Sequence, residues 1–288
     1  MLVSLSLDRH AFELTDTLTR RREGYHRKLQ EAAAPGSGSG TASIHDQVLT
    51  KEAGLDRLLI EDWHLKRCLI DHFMPPHTTL ESFAAGKSAE LGDFVLEKFA
   101  SSTTTSGVTL TRDGHIRQGE RQIPVRVAKS VELSLSEGRV TVTYDIRTLT
   151  GDETDVSFAV ENNFSFQAGH ADDRYLLIDG SRPAKSYLDS HGSAERARSI
   201  AMIDDWRQLG VVVSSESDCE IWHLPIFTVS LSEGGFERVY QGTTLVHGRT
   251  VHLSAKSTIV RFSVAAGTAD AIKKLVAAKP GALLSQKA

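Results

Sequence analysis

The chain has 288 residues, enough for one large or two ordinary domains with a substantial core, and 40% of them are hydrophobic and 24% charged. A formal net charge of −4 argues against a nucleic-acid partner, because phosphate binding needs a concentrated basic surface. No apolar run approaches the roughly 20 residues of a membrane helix, and Met1–Ser4 leads into Asp8 without a basic signal-peptide start, so neither membrane nor secretion is expected and a cytoplasmic location is. Cys68 and Cys219 are the two cysteines; without a secretion signal or a CxxC spacing they read as reduced, packed thiols rather than a bridge or metal ligands.

Taken in order, residues 3–14 alternate and then turn at Asp8-Arg9-His10, which fits a strand pair. The basic run Thr19–Leu29 reads as a solvated surface, with an anion-binding patch as the alternative. Pro35–Gly40 is a flexible loop tip by composition, placed at 35–41 as an excursion within one domain. Lys51–Ile60 suits a short helix or turn. Glu61–Phe73 is dense in side chains able to bind, and His64, His72, Asp62 and Asp71 invite a metal reading. The spacing matches no helical HxxxH, and one strand would carry the two histidines far apart on one face, so structural histidines are favoured and no metal or cofactor is expected.

The β character is strongest from Phe94 to Phe166. Phe94–Phe99 reads as a strand, and Val108–Ile116 as strand, Asp-Gly turn, strand. Val131–Leu135 and Val140–Ile146 form a hairpin about Glu137-Gly138, with Val140, Val142, Tyr144 and Ile146 on its buried face. In Asp155–Phe166, Val156, Phe158 and Val160 point to the core, while Ser157, Ala159, Glu161, Asn163 and Ser165 point away. That pattern reads as an open polar sheet face, with Glu161 and Asn163 placed for sugar hydroxyls and small neighbours leaving room; a plain solvent-facing surface is the alternative. Asp172, Asp173 and Asp179 could interest an oxygen-liking cation, but they follow no calcium-loop pattern.

Ser181–Arg198 is loop-like, and Ser199–Leu209 suits a short helix or an extended approach to a strand at Val211–Val213. Trp222–Gly242 is a strand, a glycine-pair turn after Glu233, and a second strand in which Glu237 and Arg238 sit among apolar neighbours. Charges in such a frame need partners, so this is either a corner pinned by a Glu–Arg pair or the wall of a polar site. Strands follow at Thr243–His247, Thr250–Ser254 and Thr258–Val264, with a turn at His247-Gly248. A helix then begins at Thr268 as N-cap, before a frayed tail. Nearly everything is β with hairpin signals, which predicts a mainly β, large antiparallel sandwich with a few short helices over 1–266, followed by a helix and tail at 267–288.

Trp222-His223-Leu224-Pro225-Ile226-Phe227-Thr228-Val229-Ser230 and Leu231–Glu237 resemble the signature of the C-terminal β domain of family 57 glycoside hydrolases, the α-amylase and 4-α-glucanotransferase relatives. Leu18–His26, Ser43–Asp46, Ile70–Phe73 and Val160–Ser165 look like the same region in the same order. The resemblance implies an outsized "supersandwich" similar to galactose-mutarotase-like domains, which in the intact enzymes follows a catalytic (β/α) barrel and serves α-1,4-glucan chemistry. That family's retaining mechanism needs two carboxyls roughly 5–5.5 Å apart, and these lie in the barrel, which this chain lacks. It therefore reads as a fragment or a stand-alone relative, and no catalytic residue is assigned. Whether it is an enzyme is left open.

The expected function is a non-catalytic β module of an α-glucan-acting enzyme, partnered by a catalytic barrel in cis or in trans and contacting an α-glucan or maltooligosaccharide. The carbohydrate-binding candidates are Glu161, Asn163, Trp222, His223, Glu233, Glu237 and Arg238, although Trp222 shares a strand face with Leu224 and Ile226 and suits the core. Two alternatives stand beside it. One is a mutarotase-like epimerase with a Glu base (Glu161 or Glu233) and a His acid (His72 or His223); the other is a docking partner of a separate catalytic chain.

Overall fold

The computed structural model describes residues 1–7, 11–33 and 49–278. The expected turn at Asp8–His10, the loop tip at 35–41, Ser43–Asp46 and the tail after Ala278 lie outside the described residues. Two short strands, β1 (Ser6–Leu7) and β2 (Phe12–Glu13), form a small separate ladder. The other eleven make one antiparallel sheet: β3 (Ile70–Met74), β4 (Ala100–Thr103), β5 (Gly107–Gln118), β6 (Arg121–Ser134), β7 (Arg139–Thr148), β8 (Thr154–Phe164), β9 (Arg174–Ile178), β10 (Gly192–Asp204), β11 (Leu209–Ser232), β12 (Gly235–Leu253) and β13 (Thr258–Thr268). Helices are short: α1 (His26–Ala33), α2 (Leu80–Ala84), α3 (Ala269–Ala277) and a single 3-10 turn at Leu55–Leu58.

The strand order is β3-β8-β12-β11-β13-β7-β6-β5-β4, with β10 and β9 branching from β11. This sheet is folded into a sandwich, because strands far apart in that order meet face to face. The rings of Tyr144 on β7 and Phe158 on β8 lie 5.0 Å apart, and Lys129 on β6 bonds Asp71 on β3 at 2.6 Å. The 24-residue β11 belongs to both layers: Leu209–Ser215 pairs with β13, and Glu220–Ser232 pairs with β12. Alternating residues of β6, β7, β8, β12 and β13 fill the space between the layers, among them Val127, Tyr144, Phe158, Leu253 and Phe262.

The mainly β antiparallel architecture is the one expected, and the hairpins about residues 135–138 and 233–234 form as read. The second turn requires Gly235, whose φ is +104° and whose backbone passes close to Leu49 O. Other local expectations fail for identifiable reasons. Phe94–Phe99 is a turn that drops Phe94 into the core. Gly114 lies inside the unbroken β5, where a Cβ would meet Asp93 Oδ1 at 2.2 Å; close approach demands that glycine, and the chain turns only after Gln118. Gly248 likewise sits within the unbroken β12, opposite Glu220 and Ala159. The end of the supposed loop at Ser181–Arg198 is already strand β10, and Ser199–Asp204 continues it as extended chain. Thr268 caps α3 through Ala271 N–H, and Ile272 and Val276 seat the helix on Ala201, Ile203 and Val212.

Candidate functional site

The densest polar grouping lies on the outer face of β3, β8 and β12, around Glu161. In the ladder Glu161 stands opposite Ile70 of β3 and Val246 of β12, and Ala159 stands opposite His72. Side chains two apart on a strand share a face, so Glu161, Ala159 and His72 look the same way. Alternation therefore places Glu161 and Asn163 on the non-core face, as read from the sequence.

That face is not open. Glu161 and Asn163 are both 0% exposed, because residues 61–66 and α2 lie across it as a further layer. The cover is anchored by Arg20, whose backbone N–H and guanidinium grip the Asp62 carboxylate at 2.6–3.0 Å. Thr19 Oγ1 accepts from Lys66 N–H, and Thr17 donates to Lys66 O.

Beneath this cover, both oxygens of Glu161 are engaged. Oε1 accepts from Lys66 Nζ at 3.0 Å and Asn163 Nδ2 at 2.7 Å. Oε2 lies 3.1 Å from His64 Nε2 and 3.0 Å from His72 Nε2. Burial would raise the Glu161 carboxyl, but the Lys66 charge and the two imidazoles outweigh it and hold it well below the usual carboxylate range. His72 extends the network: its Nδ1 lies 2.8 Å from Glu90 Oε2, and Glu90 Oε1 accepts from the backbone N–H of Phe73 and Gly92. Burial would lower the His72 pKa, yet hydrogen bonding to Glu161 and Glu90 lifts it to about 9.

Sequence reasoning separated His64 from His72, yet their ring centroids are 5.3 Å apart. Eight residues of strand would span roughly 26 Å. The chain instead reverses near Leu69, which has a φ of +58°, rare for a residue with a Cβ. Leu69 N–H is held by Asn162 Oδ1 and its carbonyl by Lys129 Nζ. Lys66 and Glu90 were missed as members of this site, whereas Asp62, singled out with the histidines, serves it through Arg20 and Lys66. The i, i+2 spacing of His64 and Lys66 was the available signal, since locally extended chain sends two such side chains to one side.

A narrow cleft with about 20 Å³ of accessible space leads to the histidines, with Glu61, Trp63, Gly86 and Ser88 on its walls. Trp63 is 46% exposed and leans edge-on against His64, with centroids 4.6 Å apart.

The other sequence candidates lie elsewhere. Trp222 is buried with Phe83, Leu224 and Val246, its indole N–H donating to Glu220. His223 is buried against Ser190 O, and burial lowers its pKa to about 4. Glu233 occupies the exposed tip of the β11–β12 hairpin, ten residues further along the chain from His223. Glu237 and Arg238 do not pair with each other. Glu237 meets Lys51 at 2.5 Å, while Arg238 meets Glu52 at 3.4 Å and lies over the Phe227 ring. The corner is thus pinned by two ion pairs to residues 51–52, and the candidates are not brought together into one wall. Asp172 and Asp173 accept from Tyr187 and Arg174, and Asp179 from Ser199.

A family model described as alpha-amylase/4-alpha-glucanotransferase, C-terminal, matches residues 1–262. The chain is 31% identical over 271 residues to alpha-amylase 1 of Dictyoglomus thermophilum, covering 88% of this chain and 36% of that protein. It is 32% identical over 244 residues to the 4-alpha-glucanotransferase of Thermococcus kodakarensis, covering 84% and 33%. The crystal structure of 4-alpha-glucanotransferase from Thermococcus litoralis has the same fold, with a TM-score of 0.64 at 24% identity over 91% of this chain and 34% of that one. The chain spans about a third of the length of the curated relatives it matches. It belongs to the alpha-amylase/4-alpha-glucanotransferase C-terminal family.

Proposed function

We propose that this chain is the non-catalytic β module of an α-glucan-acting enzyme, braced against a catalytic domain that supplies the reacting carboxyls, and that it contacts the glucan itself. The observation that carries this reading is the match of residues 1–262 to the C-terminal part of amylases and 4-α-glucanotransferases, together with its extent of about a third of their length. The chemistry of the Glu161 site supports it. A retaining nucleophile needs an accessible carboxylate oxygen, whereas both Glu161 oxygens are saturated and sealed from solvent. Glu90 is also committed, to two backbone N–H groups and His72.

The sugar-contacting element shifts from the residues named from sequence to Trp63. It presents a large part of its indole at the mouth of a polar cleft, and an aromatic face beside carboxylate and hydroxyl groups suits a pyranose ring. The test is titration with maltoheptaose followed by tryptophan fluorescence and by NMR. Millimolar ligand should perturb Trp63, and W63A should abolish the response while W222F keeps it. No perturbation would reduce the module to a structural role, and release of reducing sugar by this chain alone would overturn the non-catalytic reading.

A further inference from the structure

We propose that His64, His72 and Glu161 form a binding site for one divalent first-row transition-metal ion, of which Zn²⁺ is the probe. His64 Nε2, His72 Nε2 and a Glu161 oxygen all lie within 4.8 Å of one another, and all three residues are buried. A tetrahedral ion with bonds of about 2.0–2.2 Å holds its ligand atoms roughly 3.4 Å apart. The two Nε2···Oε2 separations, 3.1 and 3.0 Å, fall short of that by a few tenths of an ångström, so slight spreading of the rings opens the position. Two imidazoles and one carboxylate select borderline ions such as Zn²⁺ over Ca²⁺ or Mg²⁺, which favour all-oxygen sets.

The surroundings are those of a held ligand set. His72 turns its other nitrogen to Glu90, a carboxylate fixed by two backbone N–H groups, which is the outer-layer partner that orients metal-bound imidazoles. Glu161 has Oε1 anchored by Lys66 and Asn163, leaving Oε2 to turn toward an ion. His64 Nδ1 is buried and has no hydrogen-bond partner, so it can take the proton when Nε2 gives its lone pair to a metal. The displaced proton of His72 leaves to solvent.

The cleft beside Trp63 and Gly86 supplies a route in and room for a water as fourth ligand.

The experiment uses the purified full chain, stripped with a chelator and titrated calorimetrically with Zn²⁺. One equivalent should bind and raise the melting temperature, and Co²⁺ in its place should give the strong visible bands of a four-coordinate ion. H64Q and H72Q should abolish the Co²⁺ bands, and E90Q should weaken binding by about 10–100-fold. H252Q, at an exposed histidine on β12, should change nothing. Circular dichroism of each metal-free variant establishes folding. If H72Q fails to fold, H64Q decides, since it removes a single hydrogen bond. The proposal is overturned if the folded wild-type chain gives no Co²⁺ bands or if folded H64Q binds Zn²⁺ as tightly as wild type. Ca²⁺ binding as tightly as Zn²⁺ would also overturn it.

Discussion

Lys129 Nζ and the Asp71 carboxylate meet at 2.6 Å with 2% of either side chain exposed, tying β6 to β3 across the interior of the sandwich. Tyr144 OH donates to the other Asp71 oxygen, and the Leu69 carbonyl accepts from Lys129, so neither charge is left with an unmet demand. Removing one partner strands the other in a site that water does not reach. K129M should cost about 3–5 kcal/mol in urea unfolding, whereas K129M with D71L should recover much of that loss. Equal destabilisation by the single and double variants would show that the pair is not what matters there.

Gly114 offers a local test of close packing. A methyl group there would strike Asp93 Oδ1 and lie 2.9 Å from the Phe94 ring, so G114A should lose about 1–3 kcal/mol by forcing the 92–94 turn off β5. Gly151 has nothing within 4 Å of its Cβ position, and G151A should be neutral within about 0.5 kcal/mol. Thermal denaturation of the two variants side by side checks both.

His223 and His247 are pushed down to about 4, chiefly by burial, against about 6.5 in an unfolded chain. Both fold as neutral rings. As pH falls from 6.5 toward 4 the unfolded state takes up protons that the folded state refuses, so stability is full above 6.5 and declines across that window. The loss is about 3 kcal/mol at most from each. H247L should flatten the decline measured by denaturant titration at successive pH values; an unchanged slope would remove His247 from the account.

Burial raises the thiols of Cys68 and Cys219 to about 12, and each sulfur donates to a backbone carbonyl. Thiolate is the reactive form, so neither should react with a thiol reagent at neutral pH in the folded chain. Both should react once the chain is denatured.

The period-2 pattern carried most of the fold. Val140, Val142, Tyr144 and Ile146 are buried as their alternation required, and Glu161 and Asn163 face away from the main core as theirs did. What alternation could not report is whether a second layer covers the far face. Glycines misled at Gly114 and Gly248, because a strand uses glycine for close approach as readily as a turn uses it for a positive φ. The site was half visible: Asp62, His64 and His72 stood out as chemistry-bearing, but their convergence depends on the reversal near Leu69. A left-handed leucine leaves no signature in composition or spacing, since its conformation is imposed by Asn162 and Lys129 from distant strands.

The length of β11 has a consequence for how the molecule comes apart. Its backbone amides are shared among β10, β12 and β13, so no half of the sandwich holds a complete set of ladder partners without it. Fraying that starts at either rim halts at this spine, and its stretches paired on both sides, residues 209–214 and 221–223, should be the slowest in the protein to trade hydrogen for deuterium. A cut through its middle would leave two pieces, each with orphaned backbone and neither able to close.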